Sequence, residues 1–167
     1  PIALFWGYAD GRLDAEICLK LSRHCELRII GPRGDVDARL TACDSIDWRG
    51  AVPYEDLWHE ANEADVLVMP YANLPVTRAM QPLKLKEYLA TSLPVVATPL
   101  PANQDWADAL DLVSTADEFV QMCVKRAQDG VPETQLAARQ RLSAESWASK
   151  ARRFEDLIFG AEAAASP

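Results

Sequence analysis

Short, unbroken apolar runs alternate with longer amphipathic stretches along nearly the whole chain, and that alternation constrains the fold more than any other feature. Strand-like runs lie at 2–6, 27–30, 46–48, 66–69, 95–97 and 112–113. Several lack polar alternation, as expected of parallel strands covered on both faces. Helix-like segments lie at 13–23, 35–43, 54–63, 82–91, 103–109 and 116–129, with two more at 133–145 and 147–158. Strand–helix alternation of this kind predicts an α/β fold, a doubly wound parallel sheet of Rossmann-like form.

In such sheets ligands bind beyond the carboxyl ends of the strands. The candidate loops are therefore 7–12, 31–34, 49–53 and 70–81. The last is the longest, and loops of about a dozen residues are usually functional or disordered. It leads into a helix that opens on Pro82, where a fixed φ and a missing N–H cost nothing. The free N–H groups of a first helical turn attract anions, and Lys84 adds a full charge. Glu87, three residues on, shares a face with Lys84 and can accept hydrogen bonds from two neighbouring hydroxyls. A phosphate beside a vicinal diol describes a nucleotide. The same spacing also suits an ordinary surface ion pair, worth under about 1 kcal/mol.

At 167 residues the chain forms one domain, and 49% apolar residues exclude global disorder. Seventeen basic against twenty-five acidic residues give a net charge of −8, which argues against nonspecific nucleic-acid binding. Cys18, Cys25, Cys43 and Cys123 are scattered, without metal-ligand spacing or a disulfide framework. No apolar run reaches the roughly 18 residues of a transmembrane helix, and no signal peptide is visible. The chain has no initiator methionine and is strand-like from its second residue, which suggests a piece of a longer protein. Residues 160–167 are alanine-rich and expected to be a loose tail.

Pro70-Tyr71, a polar loop with Thr77 and Arg78, then Pro82-x-Lys84-x-x-Glu87-Tyr88-Leu89-Ala90 and Pro94-Val95-Val96 together resemble the donor-binding half of GT-B glycosyltransferases of the glycogen synthase-like class, the family-4 type. The resemblance extends to Gly7-Tyr8 with Asp14, Gly31-Pro32, Gly50 and Ser146-Trp147, so it covers nearly the whole chain. It implies that residues 1–159 are the carboxy-terminal, nucleotide-sugar-binding domain, with the amino-terminal acceptor domain absent. It also implies a donor diphosphate lying against Gly7, Arg12, Thr77, Arg78, Leu83, Lys84 and Leu85, with Lys84 and Arg78 stabilising the leaving group. Glu87 would hold the ribose, and the loops around Gly31, Arg33, Gly50 and Val52 would read the base.

Two positions depart from that pattern. The family has two glutamates eight residues apart, the second corresponding to Glu87, and the first falls on Ala79. In the family that first carboxylate is associated with the donor sugar. Ser92 stands where the family usually has glycine after the helix. Other patterns carry less chemistry. Asp35 and Asp37 have metal-binding spacing but lie at a helix start, where aspartate suits the dipole. Arg33-Gly34-Asp35 reads as a chance tripeptide, and His24 and His59 lack partners at ligand spacing. The acidic run 55–65 reads as a solvated helix face, Asp14 as a capping or surface residue, and the tryptophans as core or interface anchors.

The expected reaction moves a sugar from a nucleotide-diphosphate sugar to a glycan or lipid-linked acceptor, with stereochemical retention implied by the family. Neither metal nor cofactor is expected; the nucleotide sugar is a substrate. The isolated chain should bind nucleotide but turn over poorly. A non-catalytic nucleotide-binding or regulatory module, motivated by Ala79, and half of a nucleotide-sugar epimerase are the alternatives. The expected location is cytoplasmic, with any attachment to the inner face of the membrane supplied by the rest of the parent protein.

Overall fold

A computed structural model describes residues 1–81 and 83–163, with side chains through residue 160. The expected opening of a helix by Pro82, and the looseness expected of residues 164–167, lie outside the described residues. The strands are β1 (Ile2–Trp6), β2 (Glu26–Ile30), β3 (Ile46–Gly50), β4 (Val66–Met69), β5 (Val95–Ala97) and β6 (Asp111–Leu112). They form one parallel sheet in the order β3-β2-β1-β4-β5-β6. This is the doubly wound arrangement read from the sequence. The chain runs outward from β1 to β3, then returns to β4 on the other side of β1. The strand order therefore reverses between β1 and β4, which opens a crevice at their carboxyl ends.

The helices are α1 (Ala15–Leu21), α2 (Ala38–Thr41), α3 (Leu57–Glu63), α4 (Pro75–Arg78), α5 (Leu83–Leu89), α6 (Pro101–Gln104), α7 (Ala116–Asp129), α8 (Glu133–Arg139) and α9 (Trp147–Ala163). Asp14 caps α1, its carboxylate accepting from the N–H groups of Glu16 (2.9 Å) and Ile17 (3.0 Å). Thr115 caps α7, and Pro75 and Pro101 occupy first-turn positions where their missing N–H is harmless. The core is one cluster built on all of β1 except Ile2, all of β4 and β5, and the inward faces of α1, α5 and α7. Phe119 and Cys123, one turn apart on α7, are fully buried where α7 packs on α1. Burying a side chain of phenylalanine size contributes about 1.5–3 kcal/mol.

Several boundaries differ from the sequence reading. The expected loop 70–81 contains the single turn α4. The expected helix 103–109 is instead α6, ending at Gln104, followed by turns in which Trp106 and Ala109 bond back to Asn103 and Trp106. The expected helix 133–145 is α8 followed by a 3-10 segment, Gln140–Glu145. α9 continues to Ala163, so the first residues of the tail expected to be loose are helical. Trp6 and Trp106 are buried, whereas Trp58 and Trp147 are exposed.

Candidate functional site

The floor of the crevice is bare backbone. Gly7 follows β1 with φ 138° and Gly31 follows β2 with φ 130°, conformations that side-chain-bearing residues rarely adopt. The Gly7 N–H donates to the Ile30 carbonyl (2.8 Å), and a Cβ on Gly31 would run into the Gly7 carbonyl group. A Cβ on Gly7 would overlap the ammonium of Lys84. Lys84 thus reaches from α5 across to the backbone that ends β1.

Lys84 Nζ donates to the Tyr71 hydroxyl at 2.7 Å and lies 4.2 Å from the Phe5 ring centroid. Burial, then the nearby Arg12 charge, lowers its pKa to about 8 against the opposing pull of Glu87 and Asp10. Glu87 is exposed, and its Oε2 accepts from the Trp6 indole N–H at 3.3 Å. Lys84 and Glu87 form no ion pair with each other among the described residues, so the simple surface pair is not what the spacing builds. Tyr88, fully buried beside them, accepts from the Trp6 N–H at 2.9 Å and ties α5 to the end of β1.

Arg12 is clamped by Asp10. Its Nε donates to both carboxylate oxygens (2.8 and 3.0 Å) and its backbone N–H to Oδ1 (3.0 Å). Burial raises the Asp10 pKa, but the bonds and charge of Arg12, with Lys84, outweigh it and hold the carboxyl below its ordinary value. Arg12 also places its guanidinium 5.9 Å from the Tyr71 ring centroid. The β1–α1 loop therefore brings Arg12 to the same place as Lys84.

The remaining expected site residues divide sharply. Arg78 is exposed at the end of α4, and its side chain makes no hydrogen bond or ion pair among the described residues. Leu83 is exposed at the start of α5. Leu85 is buried, so its side chain belongs to the core and only its backbone can face a ligand. Thr77 is fully buried; its hydroxyl donates to the Ala72 carbonyl (2.5 Å) and accepts from the Leu74 N–H (2.9 Å). It organises the loop, with its hydroxyl already engaged by backbone groups. Ala79 ends α4, exposed and without a polar side chain. Asp37 caps α2 and pairs with Arg39.

Of the residues expected at the base, Gly31 follows β2 and Gly50 ends β3, and the Gly31 N–H donates to the Gly50 carbonyl. Arg33 lies 5.3 Å from the Trp48 ring centroid, and Val52 is partly buried against the core. None of the four lines a cavity of about 920 Å³ that runs from Trp6 and Glu87 along α3 and α5, past Tyr54 and Trp58, to Leu142. Sequence reading did not single out Phe5, Trp6, Asp10, Tyr71 or Tyr88 as site-builders. The local signal at Tyr71, an aromatic closing an apolar strand, is the same one a core residue gives.

Backbone glycines, a desolvated lysine and an exposed carboxylate thus meet at the reversal point of a Rossmann-like sheet. The chain belongs to the family described as glycosyl transferases group 1, whose model matches residues 13–129. It is 36% identical over 78 residues to the putative teichuronic acid biosynthesis glycosyltransferase TuaH of Bacillus subtilis (strain 168), covering 44% of this chain and 20% of that protein. Its fold matches sucrose-phosphate synthase from Thermosynechococcus elongatus with a TM-score of 0.69 at 21% identity, over 99% of this chain and 46% of that one. AviGT4, a glycosyltransferase involved in avilamycin A biosynthesis, matches with a TM-score of 0.63 at 13% identity, over 95% of this chain and 52% of its own. The chain thus spans about half the length of these solved neighbours and a fifth of the curated relative. No helix among the described residues is long and apolar enough to cross a membrane.

Proposed function

We propose that this chain is the donor-binding half of a glycosyltransferase that moves a sugar from a nucleotide-diphosphate sugar to a glycan or lipid-linked acceptor. The observation that carries the reading is the placement of Lys84. Its ammonium rests on the Gly7 backbone at the β1–β4 crevice with only a neutral phenol as hydrogen-bond partner among the described residues. A cation held this way favours an anion arriving from the crevice, since charge-assisted bonds are about twice as strong as neutral ones. The exposed Arg78 adds charge and Arg12, though paired with Asp10, offers its remaining N–H donors, so the leaving diphosphate can be neutralised by side chains without a metal. Glu87, oriented by Trp6, takes the ribose hydroxyls, and the adjoining cavity leaves room beyond it.

Family membership supports transfer from a nucleotide sugar, and TuaH, named for teichuronic acid biosynthesis, favours a polysaccharide pathway at the cytoplasmic face. Weak turnover by this chain alone follows from the same reading, because the acceptor side lies on the other half; retention of configuration is what the family resemblance implies. Ala79 supports a second reading, a module that holds nucleotide but lacks the carboxylate used for the sugar.

Calorimetric titration with UDP, GDP and ADP tests both. One nucleotide binds saturably, and Lys84→Met and Glu87→Ala each weaken it at least about tenfold, or roughly 1.4 kcal/mol. Binding of none, or binding indifferent to both substitutions, overturns the donor site. Donor turnover by the full-length parent with acceptor separates transferase from module, and isomerisation of donor alone marks an epimerase.

A further inference from the structure

Resting on the donor-site reading, we infer that Tyr71 is a positioning residue: its hydroxyl holds the Lys84 ammonium away from the neighbouring carboxylates and aims it along the Gly7 backbone at the donor diphosphate. Two acidic groups influence Lys84, and each is already engaged. Asp10 is occupied by three hydrogen bonds from Arg12, and Glu87 accepts from Trp6. Lys84 bonds to neither; it donates to Tyr71.

The phenol can act as a fixed peg because everything about it is anchored. Tyr71 is 1% exposed, and its ring meets Phe5 edge-on with centroids 5.9 Å apart. Its backbone pairs with Leu13 in an isolated bridge, and its carbonyl accepts from the Thr98 hydroxyl at 2.8 Å. The Phe5 face, 4.2 Å from Nζ, supplies a second restraint that is attractive to a cation without neutralising it. A lysine ion-paired with Asp10 or Glu87 would have to break that pair before meeting a phosphate. A lysine on a neutral peg does not.

The groups facing Lys84 are Asp10 and Arg12 from the β1–α1 loop, Tyr71 after β4, and Glu87 on its own helix. Removing the peg frees the ammonium to swing toward a carboxylate, with the ring packing kept in Tyr71→Phe. The test is a double-mutant cycle with Tyr71→Phe and Lys84→Met, read by the affinity of whichever of UDP, GDP or ADP binds. Melting temperature checks that each variant folds.

Tyr71→Phe alone weakens the diphosphate at least about fivefold, within the range of coupled contacts, and has no further effect once Lys84 is methionine. An equal loss in the Lys84→Met background means that Tyr71 acts independently and overturns the proposal, as does unchanged affinity of the single variant. If Lys84→Met itself leaves all three affinities unchanged, or none of the three binds, the donor-site reading falls and takes this proposal with it.

Discussion

The indole N–H of Trp6, the last residue of β1, reaches across the crevice to the carboxylate of Glu87 on α5 at 3.3 Å. The partners are 81 positions apart in the chain, and their bond fixes the one acidic group expected to meet a ribose. Trp6→Phe keeps an aromatic ring against Tyr88 but removes the donor. The affinity for nucleoside diphosphate should fall about three- to tenfold, the value of one ordinary hydrogen bond, with a lower melting temperature because the smaller ring underfills a buried junction. Unchanged affinity in a titration would show that Glu87 needs no orientation.

Tyr88 holds the same junction from inside. It is fully buried, accepts the Trp6 backbone N–H, and packs on the Trp6 ring with centroids 4.2 Å apart. Tyr88→Phe leaves that N–H without a partner, so urea denaturation should show a loss of about 1–3 kcal/mol. A loss below about 0.5 kcal/mol would mean that the N–H finds another acceptor.

Lys84 should cost stability while serving binding. Its folded pKa is lowered to about 8, chiefly by burial, against about 10.4 in an unfolded chain. Between those values the unfolded chain binds more protons, so stability rises with pH across that window. Below about pH 8 the full cost of the buried charge is present. Lys84→Met should therefore raise the melting temperature at pH 7 and flatten the rise between pH 8 and 10. A lower melting temperature would show that the ammonium stabilises the fold.

The same group gives binding the opposite dependence. Only the protonated lysine attracts a diphosphate, so affinity should hold up to about pH 8 and then decline, by up to about tenfold per pH unit. Lys84→Met should bind weakly at every pH, without that decline. Wild-type affinity flat from pH 7 to 10 would show that Lys84 does not meet the phosphate.

Much of this site can be read from the chain because its informative parts are local. The apolar runs of β4 and β5, the Asp14 cap and the one-turn spacing of Lys84 and Glu87 are all visible within a few residues. The single turn α4 escapes that reading, since Pro75-Val-Thr-Arg is too short to show a period. Thr77 looks polar and available, yet three backbone groups of Ala72 and Leu74 engage its hydroxyl once the loop closes. What separates Lys84 from Glu87 is set by Tyr71, just after β4, and Trp6, at the end of β1, brought beside α5 only by the sheet order. Pairings across that distance leave no periodic trace.

Gly7 joins the fold to the chemistry, and substitution there separates the two. At φ 138°, alanine meets backbone strain of about 1–3 kcal/mol. Its Cβ would also occupy the place of the Lys84 ammonium, which sits at the end of a flexible chain and can move aside. Gly7→Ala should therefore fold with a lowered melting temperature but lose nucleoside diphosphate affinity as fully as Lys84→Met does. In the Lys84→Met background the stability loss should persist, because the strain belongs to the backbone, while the binding loss should vanish. Titration and thermal melting of the single and double variants measure both at once. A further binding loss in the double variant would show that the Gly7 backbone itself approaches the ligand, separately from the lysine laid across it.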